Sequence, residues 1–373
     1  MIAMIQKIKR ISICLCLVLL LSCEKDIPNL EDEATLKSVA GDLWIGMLYD
    51  NTYEAIDRTI FEREANAGQV SWYPAWGGWE GMDAYDLAEV NAEINYIHNQ
   101  GLPVMMHMFF GPDQYLPEWF KEGTWTITEM DTLMHDLIKT TIQSNDNAAK
   151  VKVWNVINEA IGWDGDYWDD SKWLEMGYEK DVSGLSGSEQ VFDSIPVYIG
   201  KAFRYARMYT NEQLELRDYN NEGTESRWGN SEIKSKAFYQ LTKHLVNSGV
   251  PIDAVGFQGH FNIDVITDFS KLTETTRKFD ALGLKIYITE MDAEQNDESK
   301  EWNESIAKTQ ADFYYQYVSA ALEGGADGIF TWGIRDDQDP WWRFGENPLL
   351  FDAAGKPKDS YYAVKQALID FSK

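Results

Sequence analysis

Eight short apolar runs alternate with eight amphipathic segments along this chain, and few folds accept that arrangement. The runs are Leu43–Leu48, Gln69–Tyr73, Leu102–Phe109, Val151–Val156, Leu214–Tyr219, Ala254–Gln258, Ile286–Thr289 and Gly328–Trp332. They are too short for helices and mostly apolar, as strands buried on both faces are. Segments near 54–65, 83–99, 129–143, 196–208, 231–248, 265–281, 303–323 and 359–371 carry helical spacing. Alternation of this kind predicts a parallel sheet, and eight units is the number that closes a barrel. A doubly wound open sheet competes, but it usually places a glycine-rich phosphate loop after its first strand. Tyr49-Asp50-Asn51-Thr52 is not such a loop. The expected fold class is α/β, a single (β/α)8 TIM barrel.

The N-terminus reads as a processing signal rather than as part of the fold. Lys7, Lys9 and Arg10 precede an apolar core, Ile11 to Leu21, that is short for a membrane span. Leu20-Leu21-Ser22-Cys23 resembles a bacterial lipobox, so Cys23 is the expected lipidation site. Glu24-Lys25-Asp26 is similar to a lipoprotein export signal of the Bacteroidetes type. The division that follows is a signal peptide over 1–22, a lipid-anchored tether over 23–40 and the barrel over 41–373. The expected location is a bacterial outer membrane, facing the periplasm or the cell surface.

All three cysteines lie in that leader, which leaves the barrel without a disulfide or a thiol nucleophile. A net charge of −28 disfavours nucleic acid, whose binding needs Lys and Arg on the phosphates. Fifteen Trp and nineteen Tyr suit a core, and also flat platforms on which sugar rings stack.

Two of the runs end in a glutamate: Trp154-Asn155-Val156-Ile157-Asn158-Glu159 and Ile286-Tyr287-Ile288-Thr289-Glu290. Barrel chemistry sits at the C-terminal strand ends, so both carboxylates are expected on one face. Such a pair suits glycoside hydrolysis, where one carboxyl protonates the leaving oxygen and the other attacks or activates water. Other strand ends carry His107, Asp218 to Asn220, Gln258, His260 and Trp332. No two histidines have zincin spacing, and the acidic run Asp164 to Asp170 lacks full calcium-loop spacing. No metal or other cofactor is expected.

These motifs together resemble glycoside hydrolase family 10, the xylanase family, over essentially the whole barrel. Trp154 to Ala160 is similar to its acid/base motif, and Ile288-Thr289-Glu290-Met291-Asp292 to its nucleophile motif. Asp218-Tyr219-Asn220, Val255 to His260, Thr331-Trp332-Gly333 and Asn347 to Asp352 are similar to further family motifs, and the six lie in the family's order along the chain. The resemblance implies a retaining mechanism with Glu159 as acid and then base, and Glu290 as nucleophile. It further implies that Asn158 binds the sugar 2-hydroxyl, that His260 orients Glu290 and that Trp332 floors the reacting subsite. His107 and Gln258 would also bind substrate.

Departures cluster where the family binds the glycone sugars. Ser71 stands at the position of a lysine, Gly111-Pro112 replaces a Trp-His pair, and Arg217 replaces a small polar residue. Trp76 and Trp79 after the second strand, Trp163 and Trp168 in the long 161–194 insertion, and Trp341-Trp342 after the eighth strand are candidate replacement platforms. The expected activity is an endo-1,4-β-xylanase acting on xylan. A decorated xylan or another β-glycan is the alternative substrate. An impaired surface glycan-binding protein is the alternative of another class.

Overall fold

The computed structural model describes residues 34–74, 78–168, 171–225, 231–266, 268–295, 301–336 and 345–371. Eight parallel strands form the barrel: β1 (Trp44–Leu48), β2 (Ala67–Ser71), β3 (Val104–His107), β4 (Val151–Asn158), β5 (Gln213–Asp218), β6 (Ala254–Phe257), β7 (Lys285–Glu294) and β8 (Gly328–Thr331). Each strand pairs with the next, and β8 returns to β1 with Trp44 opposite Gly328. The sheet is therefore closed. The open-sheet alternative is excluded.

Eight helices follow the strands: α1 (Ala55–Glu64), α2 (Ala88–Asn99), α3 (Ile127–Gln143), α4 (Val197–Arg207), α5 (Ser231–Asn247), α6 (Ser270–Asp280), α7 (Glu304–Glu323) and α8 (Asp359–Phe371). Helix α2 begins later than its periodicity predicts, because Trp79–Gly81 and Ala84–Tyr85 pair as a small antiparallel hairpin instead. A further helix, Leu36–Val39, falls within the stretch read as tether. Leu36 is buried, and its amide donates to Glu64 Oε2 at 2.8 Å. Packing against the barrel thus begins by residue 36.

The barrel interior is layered. Ala67, Met105, Val153, Ala254, Tyr287 and Phe330 form an apolar plug at its base, with Trp44 against it. Gly46 is needed there, since a Cβ would meet the Phe330 ring at 2.1 Å. Above the plug the interior turns polar: Gln69, Asn155, Glu215, Arg217 and Thr289 are all fully or almost fully buried. Inward positions recur every second residue along a strand, so Glu215 and Arg217 share the inner face of β5. The 161–194 insertion is more ordered than a bare loop. It contains a 3-10 turn at Lys172–Met176, whose Trp173 packs on Phe110 and Phe120, and a hairpin of Tyr178–Lys180 with Ser194–Pro196.

Candidate active site

Glu159 directly follows β4, and Glu290 lies within β7, whose last residues run beyond the barrel wall. Glu159 adopts a left-handed backbone, φ 53°, that a non-glycine residue takes up only under constraint. Its amide donates to the Arg217 carbonyl at 2.9 Å, which fixes the turn. Gln258, at the end of β6, spans the two carboxylates. Its side chain donates to Glu159 Oε1 at 2.9 Å, and its carbonyl accepts the Glu290 amide at 2.8 Å. Both groups therefore occupy the C-terminal face of the barrel.

Their surroundings differ in sign. Glu290 is 3 % exposed, with Oε1 accepting from Arg217 Nη1 at 2.9 Å and Oε2 3.1 Å from His260 Nε2. His260 Nδ1 lies 2.8 Å from Asp292 Oδ1, which sets the ring plane. Burial alone would raise the Glu290 carboxyl. The His260 hydrogen bond, then the neighbouring His107, Arg217 and the His260 ring, overcome it and hold the group down at about 2. Burial pushes Glu159 the other way, up to about 7. Its Gln258 hydrogen bond only partly offsets this, while the charges of Asp218 and Glu290 add to it. His107 is 2 % exposed and lies 3.2 Å from Arg217 Nη1; burial lowers it to about 3, so it stays neutral.

One carboxyl poised as an acid beside another fixed as an anion is the arrangement an acid/nucleophile pair requires. Such a pair would work with Glu159 protonated and Glu290 ionised, a state that dominates between about pH 2 and about pH 7. On substrates with poor leaving groups, kcat/KM is expected to fall about tenfold per pH unit above 7. A pH profile measures this directly. A basic limb below pH 5 would contradict the assignment.

Asn158 is buried, and its Oδ1 lies 3.3 Å from Gln258 Nε2; among the described residues its amide nitrogen has no partner. Trp332 lies edge-on to His107 and His260, with ring centroids 5.3 and 6.5 Å away. Trp163 is exposed at the mouth against Tyr219. Trp76, Trp341, Trp342 and Cys23 lie outside the described residues.

Two expectations need correction. Trp79 is not a stacking platform: it is 1 % exposed, packed on Trp119 at 4.7 Å and Phe120 at 5.3 Å. The small hairpin turns it inward. Arg217 does not face the glycone sugars. It is fully buried beneath Glu290 and also donates to Glu215 Oε2 at 2.8 Å.

Several neighbours were not legible as site residues. Tyr73 and Tyr115 stack at 5.6 Å, and Tyr73 meets the His107 ring edge-on at 5.5 Å. Gly111 makes room for this, since a Cβ there would meet the Tyr115 ring at 2.9 Å. Lys234 of α5 is buried, with Nζ 2.8 Å from Asp218 Oδ1 and 2.7 Å from the Ile161 carbonyl. It braces the loops around Glu159, and no local pattern marks it. A cavity of about 380 Å³ opens beside Ser71, lined by Trp72, Tyr73 and the acidic residues Asp50, Glu80, Asp86, Glu89 and Glu93.

The model of glycosyl hydrolase family 10 matches residues 76–367. The chain belongs to that family. It is 29 % identical over 298 residues to endo-1,4-beta-xylanase A of Thermoanaerobacterium saccharolyticum, covering 76 % of this chain and 23 % of that protein. It is also 29 % identical over 298 residues to exoglucanase XynX of Acetivibrio thermocellus, covering 76 % and 24 %. The chain thus spans about a quarter of the length of those relatives. Xylanase 10B of Thermotoga petrophila RKU-1, solved in complex with xylobiose, superposes with a TM-score of 0.76 at 26 % identity over 91 % of this chain and 98 % of that one.

Proposed function

We propose that this family 10 member is a retaining, endo-acting β-glycoside hydrolase whose substrate is a β-1,4-xylan. The observation that carries the proposal is the opposed pair: Glu159 raised by burial and Glu290 lowered by its donors, spanned by Gln258. In the first step Glu290 attacks the anomeric carbon while Glu159 gives its proton to the departing glycosidic oxygen. The glycosyl ester forms and the glycosidic bond breaks. In the second step Glu159, now ionised, takes a proton from water. The water oxygen attacks the anomeric carbon, and the Glu290 carboxylate leaves. The amide of Asn158, without a partner among the described residues, suits a sugar hydroxyl beside the reacting centre. Relatives named as xylanases, and the superposed xylobiose complex, support the substrate class.

The glycone side favours a refinement toward a decorated xylan. A serine at 71 and glycine-proline at 111–112 remove polar and flat contacts, and an acid-lined cavity opens at Ser71. Each hydrogen bond lost to a neutral hydroxyl removes about 0.5–1.5 kcal/mol. Linear xylo-oligosaccharides are therefore expected to be poorer substrates than branched ones, and Ser71→Lys should raise kcat/KM on the linear series. Initial rates on both series decide it; a native enzyme as fast on linear as on decorated chains would remove the basis for this refinement. The relative named as an exoglucanase supports the other reading, another β-glycan, and a mixed-linkage glucan belongs in the same assay.

Lipidation at Cys23 and placement at a bacterial outer membrane complete the proposal. They are supported by the apolar leader ending in Leu20-Leu21-Ser22-Cys23. Cys23→Ala should release the protein from membranes without altering kcat/KM, as read by fractionation and assay. A variant that still pellets with membranes would assign retention to the leader itself.

A further inference from the structure

Arg217 is a buried cation shared by two buried carboxylates. Its Nη2 donates to Glu215 Oε2 at 2.8 Å and lies 3.1 Å from Met105 Sδ, while Nη1 donates to Glu290 Oε1 at 2.9 Å. Neither Arg217 nor Glu215 has measurable exposure. Space for the pair comes from Gly256 on the neighbouring strand, where a Cβ would meet Glu215 Oε1 at 2.2 Å and Arg217 Cγ at 3.0 Å. Glu290 is also faced by His107 of β3, Tyr73 after β2, Glu159 after β4 and His260 after β6. Of these, Arg217 alone keeps its charge at every working pH.

The charge of Glu290 changes during turnover, on the retaining reading above, and that gives Arg217 a role. We infer that Arg217 is a positioning residue that destabilises the glycosyl–enzyme relative to the free enzyme, because its guanidinium binds the Glu290 carboxylate more strongly than the ester. Forming the ester bond removes the anion from Oε1 and forfeits that attraction. Hydrolysis returns the electron pair to the carboxylate, the attraction is restored, and departure of Glu290 is helped. Glu215 explains how the arrangement survives the intermediate. With Glu290 esterified, Arg217 would otherwise be a buried charge without a counter-ion, a strongly unfavourable condition in a protein interior. The native enzyme therefore passes through its intermediate without accumulating it.

The test uses the full chain and a dinitrophenyl β-xylobioside, whose leaving group makes ester formation easy. The native enzyme should release dinitrophenolate without a burst. Arg217→Gln, and Glu215→Gln/Arg217→Gln in which both buried charges are removed, should show a burst approaching one equivalent per enzyme. Their kcat and KM should fall together, by about tenfold, while kcat/KM is held. The acidic limb of kcat/KM should move up by about one pH unit or more as Glu290 loses its cation. Arg217→Lys keeps a charge and should restore burst-free turnover. A merely structural loss would lower kcat/KM and give no burst. A folded double variant with no burst and an unmoved acidic limb overturns the inference. Product formed with inverted anomeric configuration by the native enzyme would instead overturn the retaining reading on which it rests.

Discussion

Glu290→Ala is expected to lose turnover on every glycoside, whatever its leaving group, by about 10⁵-fold or more, as removal of a covalent nucleophile does elsewhere. Two features force this. The carboxylate is held by Arg217 and His260 on separate oxygens, and it is almost fully buried. Glu159 cannot substitute: it stays protonated to about pH 7, and Gln258 holds it from β6. The assay is kcat/KM on xylan and on an aryl β-xylobioside, with the variant's melting curve recorded to show that it folds. Loss on xylan with near-native rates on the aryl glycoside would mean that Glu290 serves protonation and not attack.

Glu159→Ala should separate substrates instead of abolishing them all. General acid help contributes about 10²–10⁴-fold where the leaving group is a sugar alkoxide, and little where it is dinitrophenolate. Xylan hydrolysis should fall by that factor while the first step on the dinitrophenyl glycoside survives. The basic limb near pH 7 should vanish with the carboxyl that causes it. Equal losses on both classes would contradict the acid role.

How much of this was readable in advance depends on the range of each signal. All eight strands and eight helices were legible, because alternation and amphipathic period are local consequences of burial on a barrel. Boundaries failed where a tertiary contact outweighed local pattern. Residues near 84 pair as a hairpin with Trp79–Gly81, and Leu36 docks under Glu64 inside a stretch polar enough to read as tether. The two carboxylates were legible because each ends an apolar run. Trp79 misled because an aromatic on a glycine-rich turn looks the same whether it points to solvent or into the core. Arg217 carried a signal that could have been used. Glu215-Leu216-Arg217 places opposite charges two residues apart on one face of a strand with no solvent on either side, so they must pair inside the barrel. That Arg217 also reaches Glu290 depends on β7, which no local window contains. Tyr115 and Lys234 reach the site through loop and helix geometry that leaves no trace in spacing.

The most direct test of the central claim is the anomeric configuration of the first product, followed by proton NMR during cleavage of a β-1,4-xylo-oligosaccharide by the native enzyme. Two displacements, first by Glu290 and then by water activated through Glu159, predict that the new reducing end appears as the β anomer and only later mutarotates. The α anomer appearing first would mean a single displacement by water, and would contradict the assignment of Glu290 as nucleophile.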